Sequence, residues 1–198
     1  QSSMDEAGIC FLMAPRHHTA MRHVAEPRIQ LATRTIFNLL GPIANPADVT
    51  RQLVGVFSED WVEPIAKVLK SLGSERAWVV HGSDGLDEIT TTGKTKVASL
   101  EDGAVTTFEI HPTEAGIKLA KPEQLVGGEP DENANALLSV FNGERNAYRD
   151  IVVLNSAACL IIAGKAQNLT EGASISSDMI DSGKAMEKLE ALKEITNR

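Results

Sequence analysis

Three carboxylates fall within five residues at Asp84, Asp87 and Glu88, around Gly85, and could together coordinate a hard cation. Carboxylate oxygens suit a hard cation, and Mg2+ commonly takes one or two of them while substrate phosphates and water complete its shell. Neighbouring side chains on a strand point apart, so Asp87 and Glu88 could share an ion only from a loop. A solvated acidic turn is the plainer reading of the same residues. Arg28 follows Pro27 at an expected helix start. Its planar fork could hold a carboxylate through two parallel hydrogen bonds, or simply lie in water. His17 and His18 are adjacent in a polar stretch and could hydrogen-bond or stack on an aromatic ligand, or stand solvated. Gly41-Pro42 could let a flat ligand approach the backbone, or serve only as a helix stop.

These residues need elements to hold them. Gly8–Ala14 is a continuous apolar run closed by Pro15, which predicts a buried strand of the parallel-sheet type. Pro27 suits the first turn of a helix, and Leu31, Thr35, Ile36, Leu39 and Leu40 continue at helical spacing up to Gly41-Pro42. Arg51–Phe57 predicts a second strand, with Ser58 as the cap of the helix after it. Trp61, Val62, Ile65, Val68, Leu69 and Leu72 form one face of that helix, and Gly73 ends it. Ala77–His81 predicts a third strand. Strand, helix and strand in succession imply a parallel sheet with crossover helices. The acidic loop would then sit beyond the carboxyl end of a strand, where ligands of open α/β sheets gather.

Ile89–Leu100 and Val105–Ile110 read as antiparallel strands about Gly93-Lys94 and Glu101-Asp102-Gly103, followed by a Pro/Gly/Glu-rich loop over 111–130. The remainder is helical, with Ala134, Leu137, Leu138 and Phe141 on one face, Ile151, Leu154, Ala158 and Ile161 on another, and Ala185, Leu189 and Leu192 on a last. The expected class is α/β: a mostly parallel sheet flanked by helices with an antiparallel hairpin insertion, residues 1–198 forming one domain.

A net charge of −8 with no basic run argues against nucleic acid as a partner. Cys10 and Cys159 both sit in apolar runs, which predicts buried, reduced thiols. No apolar run reaches the ~20 residues of a membrane span, so no membrane is expected and the cytoplasm is the default compartment. The chain contains no Gly-x-Gly-x-x-Gly or Walker-type phosphate cradle, no zinc-type Cys/His spacing and no nucleophile elbow. It opens on Gln-Ser-Ser-Met and runs at once into apolar sequence, which reads as an interior start.

Several segments, taken in order, resemble the anthranilate phosphoribosyltransferase family. They are Phe11-Leu12-Met13-Ala14-Pro15 with His18 and Ala20–Ala25, then Arg34–Pro42 with Asn45-Pro46-Ala47, and Val80-His81-Gly82 with Asp84–Glu88. Gly127-Gly128 with Glu132-Asn133-Ala134, and Val153-Leu154-Asn155 with Ala157-Ala158, complete the series. The resemblance implies transfer of phosphoribosyl from phosphoribosyl pyrophosphate to anthranilate, with release of pyrophosphate, in tryptophan biosynthesis. It implies a nucleoside phosphorylase/phosphoribosyltransferase-like C-terminal domain, with a helical domain and a glycine-rich phosphate loop upstream of this chain, in a homodimer. Arg28 would bind the anthranilate carboxylate, His18, Gly41 and Pro42 would line the path of anthranilate, and Asp87 and Glu88 would hold Mg2+ on the pyrophosphate. This chain by itself is expected to be inactive. A pyrimidine nucleoside phosphorylase-like enzyme, or a non-catalytic nucleic-acid-binding paralogue of the same fold, are the alternatives.

Overall fold

The structure, a computed structural model, describes residues 2–13, 26, 30, 33 and 35–198, the side chain of Phe37 excepted. Two compact units divide the chain: Thr50–Glu190, and Gln1–Val49 together with Ala191–Arg198.

The Thr50–Glu190 unit is built on a sheet of order β1-β2-β3-β4. Strand β1 spans Arg51–Gly55 and pairs in parallel with β2, Arg76–Gly82, with Leu53 opposite Trp78 and Gly55 opposite Val80. The crossover is helix α3, Val62–Ser71, numbered after two helices of the other unit. Its entry is the one expected: the Ser58 side chain accepts from the Asp60 amide, and a 3-10 turn over Glu59–Trp61 leads into the helix. Val62, Ile65, Ala66 and Leu69 are buried, while Glu63 and Lys67 pair at 2.6 Å on the outer face. Strand β3, Thr95–Glu101, runs antiparallel to β2, and β4, Ala104–Ile110, antiparallel to β3. Asp102 and Gly103 join β3 to β4 with φ of 49° and 73°, the two positive values a tight type I′ hairpin turn demands.

The sheet is therefore mixed: among the described residues the parallel part expected to dominate is the single β1–β2 pairing, β3–β4 is the expected antiparallel hairpin, and β2–β3 is antiparallel as well. Strand β3 begins at Thr95, later than the Ile89 expected, because Ile89, Thr90 and Thr92 spend polar groups on loop contacts described below. Four helices follow: α4 over Pro130–Phe141, α5 over Ala147–Ile162, α6 over Leu169–Asp181 and α7 over Lys184–Thr196. Helices cover both faces of the sheet. Trp78, Val80 and Val97 join Leu154, Ala157, Ala158, Leu169 and Ala173 of α5 and α6 in one core. Ala77, Val79 and Ala98, of opposite alternation, are buried on the side where α3 packs on β2 and β3.

In the other unit the described helices are α1, Ser2–Ala7, and α2, Phe37–Ile43. Arg198 pairs with Glu6 at 2.8 Å. The strand expected over Gly8–Ala14 is not formed at residues 8–13, which are irregular, and Phe11 is 79% exposed. An apolar run states a demand for cover, but a strand also needs a neighbouring edge for its peptide groups. The cysteine expectation is corrected for the same kind of reason. Both thiols are free, but Cys10, on this irregular segment, is only partly buried, and Cys159 is exposed on the outer side of α5 beside the buried Ala158.

Candidate functional site

The carboxyl ends of β1 and β2 lie side by side, and two bonds hold them there. The Val56 amide donates to the Val80 carbonyl at 3.0 Å, and Nδ1 of His81 lies 2.8 Å from the Val56 carbonyl. Beyond β2 the chain turns sharply. The Gly85 amide donates to the Gly82 carbonyl, the Gly82 amide to the Leu86 carbonyl, and the Leu86 amide to Oδ1 of Asp84. Gly85 has φ of 92°, a conformation side chains rarely adopt.

Of the three carboxylates, Asp84 is committed to the loop itself. Its Oδ2 accepts from Oγ1 of Thr90 at 2.5 Å and from Oγ1 of Thr92 at 2.6 Å. Partial burial works to raise its pKa, but the two hydroxyls and the Leu86 amide outweigh that and hold it below the ordinary aspartate value. A carboxyl with a depressed pKa adds stability that is complete above its unfolded value and fades as pH falls through the folded one. Asp84→Asn is accordingly expected to lower stability at pH 7 by about 1 kcal/mol, the low end for a charge-assisted bond because the group is partly solvated. Urea unfolding of wild type and variant should converge as pH drops below the unfolded aspartate value; a gap that stays constant with pH would refute the assignment.

Asp87 and Glu88 are different. Both are exposed, and they stand in side-chain contact with each other. Loss of water, then the charges of Asp87 and Asp84, and then the hydrogen bond with Asp87 raise the pKa of Glu88 above the usual range. Two exposed carboxylates in contact, whose like charges oppose each other, are a fit for a divalent cation, whose charge would relieve that repulsion. Among the described residues no group of three or more His, Cys, Asp or Glu side chains is set to hold an ion, so the pair would share the ion with ligands from substrate and water.

The loop is pinned at two points that sequence reasoning passed over. A Cβ built on Gly55, at the end of β1, would lie 1.4 Å from the Asp87 carbonyl oxygen, so the Asp87 backbone is seated directly on that glycine. On the far side, Asn155 of α5 accepts from the Ile89 amide at 3.0 Å and donates to the Ile89 carbonyl at 2.9 Å. The signal was present: a lone amide inside the apolar run 151–163 has to find polar partners when it faces the core.

Gly41 and Pro42 lie within α2 rather than beyond its end, correcting the helix-stop reading. Proline in the last turn of a short helix forgoes one amide bond, and the helix ends one residue later at Ile43. A Cβ built on Gly41 meets nothing among the described residues within 4 Å. Arg28 and His18 lie outside the described residues. The Gly127-Gly128 segment is fastened to the start of α4: Asn133 bonds both the amide and the carbonyl of Gly128, and Glu129 with Glu132 forms a capping box.

The chain belongs to the family described as "Glycosyl transferase family, a/b domain", which residues 1–186 match. The anthranilate phosphoribosyltransferase of Chelativorans sp. (strain BNC1) is 58% identical over 193 residues, 98% of this chain and 57% of that protein. The crystal structure of the anthranilate phosphoribosyltransferase of Thermus thermophilus is similar at TM-score 0.89 and 39% identity, over 97% of this chain and 58% of that one. The Saccharomyces cerevisiae enzyme of the same name, in complex with PRPP and Mg, is similar at TM-score 0.83 and 32% identity, over 92% of this chain and 53% of that one. The chain thus spans a little over half the length of the curated relatives it matches. Among the described residues no helix is long and apolar enough to cross a membrane.

Proposed function

We propose that this chain is the C-terminal α/β portion of an anthranilate phosphoribosyltransferase, which joins anthranilate to phosphoribosyl pyrophosphate and releases pyrophosphate. The reading carries with it a Mg2+ requirement, a homodimer and a cytoplasmic location. Its main support is the contact pair Asp87–Glu88 at the end of a parallel strand, in a chain so similar to enzymes of that name.

Asp87 and Glu88 would hold the ion through their carboxylate oxygens. A Mg2+ there supplies positive charge to the departing pyrophosphate. Arg28 would clamp the anthranilate carboxylate in two parallel hydrogen bonds, fixing the direction of the amine. His18, Gly41 and Pro42 would line the approach of the flat ring, and no described residue comes within 4 Å of a Cβ built on Gly41. An aromatic amine is already a neutral nucleophile, so positioning matters more than a strong base, and no catalytic base is assigned.

The full-length protein carrying this sequence, supplied with both substrates and Mg2+, is expected to form N-(5-phosphoribosyl)anthranilate and pyrophosphate; no product under saturating conditions would overturn the reading. In that protein Arg28→Ala is expected to raise the anthranilate KM about 100-fold, on the order of 3 kcal/mol for a lost bidentate pair, with the KM for phosphoribosyl pyrophosphate little changed. An unaltered anthranilate KM would remove Arg28 from the site.

A further inference from the structure

We infer that Asn155 is a positioning residue for Glu88. The inference rests on the reading of Asp87 and Glu88 as the Mg2+ pair. Glu88 is an exposed side chain in a loop, and a loop carboxylate is ordinarily free to move. Here the next residue is fixed in every respect. The Ile89 side chain is 1% exposed in the core beside Leu154 and Ala158. Its peptide groups are both taken by one amide: its N–H donates to Oδ1 of Asn155 at 3.0 Å, and its carbonyl accepts from Nδ2 at 2.9 Å. The same Nδ2 also donates to the Ile151 carbonyl, one turn back on α5, at 2.9 Å.

Both hydrogens of Nδ2 are therefore used, and the orientation of the amide is set by its own helix before it meets the loop. The side chain reads Ile89 as a neighbouring strand would, with one donor and one acceptor in register. The backbone beside Glu88 thereby takes its position from α5, a helix of 16 residues, rather than from the loop. Functional groups held within a fraction of an ångström depend on such supports, and losing an outer partner of a metal ligand costs roughly 10–100-fold in metal affinity or activity.

A purely structural asparagine would satisfy two buried peptide groups and do nothing for the ion. The experiment separates these roles in the full-length protein with Mn2+ as a spectroscopic probe, bound in the presence of pyrophosphate and followed by electron paramagnetic resonance. Asn155→Gln keeps the same groups but moves them by one methylene, and Asn155→Asp keeps the acceptor while removing the donor. Ile162→Ala, two turns further along α5, is the reference for loss of stability alone. Asn155→Gln is expected to weaken Mn2+ binding at least about 10-fold and to raise the Mg2+ concentration for half-maximal rate in proportion, with Asn155→Asp intermediate. Ile162→Ala is expected to lower Tm as much while leaving both unchanged. If the Asn155 variants lower Tm yet bind Mn2+ within twofold of wild type, the inference is overturned; should Asn155→Gln not fold, Asn155→Asp decides. Asp87→Asn keeps the two failures apart: Mn2+ binding lost there but intact in the Asn155 variants sinks only the positioning role. Binding intact in Asp87→Asn as well removes the metal pair itself, and this inference with it.

Discussion

Asp87→Asn combined with Glu88→Gln is expected to lower phosphoribosyl transfer in the full-length enzyme by roughly 1,000-fold, about 4 kcal/mol of transition-state stabilisation, without destabilising the protein. The size follows from the chemistry assigned to the pair. In the proposed reaction bond breaking at the ribose would leave negative charge on pyrophosphate, and a cation held by the pair to compensate charge that develops only in the transition state would act on kcat more than on ground-state binding. The absence of a stability cost follows from the same two side chains. Burial and the nearby Asp87 and Asp84 raise the pKa of Glu88, so the folded state holds its proton more tightly than the unfolded state does. As pH climbs from the ordinary glutamate value through the raised one, ionising Glu88 therefore costs folding free energy, and the cost is complete above that range. Glutamine carries no such cost. Thermal unfolding at pH 7 should show the double variant at least as stable as wild type, with the difference vanishing below the ordinary glutamate value. A variant that keeps its activity, or one that is inactive only because it is unfolded, contradicts the assignment.

The second large effect is expected from Gly55→Ala. The added methyl would overlap the Asp87 carbonyl oxygen at 1.4 Å and its carbon at 2.5 Å, and both are backbone atoms that cannot rotate away. Either β1 shifts from β2 or the Asp87 peptide leaves its seat. The first is resisted by the bonds from Val56 to Val80 and from His81 to Val56. The loop is the softer partner, so the acidic pair moves. Overpacking of this kind costs about 1–3 kcal/mol in stability. A displacement near 1 Å at a metal ligand is expected to cost on the order of 100-fold in rate. The expected result is a folded enzyme with a depressed Tm and a raised requirement for Mg2+. Unchanged Tm and rate would show that the contact is not a constraint.

The framework of the larger unit was legible because each of its signals is local. Short apolar runs mark β1 and β2, Ser58 caps the turn before α3, and Asp102-Gly103 has the chemistry of a two-residue turn. Asp87 and Glu88 stand apart from Asp84 only through the family resemblance, since the residues alone give an acidic turn. What supports the pair is not legible, because the partners are distant in sequence, although the lone amide of Asn155 in an apolar run marks a need for some partner. Nothing around Gly55 points to residue 87, and Asn155 stands 66 positions from Ile89. Asp84 was grouped with the other two carboxylates because composition cannot tell an oxygen that is free from one already accepting from two threonines. Gly41-Pro42 was read as a stop because both residues are poor helix formers, yet a final turn tolerates them.

The strand order has a consequence for how motion is distributed. Among the described residues, β1 and β4 each pair along one edge only, whereas β2 is paired along both. Fraying begins at rims, where peptide groups meet water, and reaches an interior strand last. The acidic loop springs from that interior strand, so thermal breathing of β4 can proceed while the footing of the two carboxylates stays at rest, whereas loosening of β1 would reach them through the seat of Asp87 on Gly55.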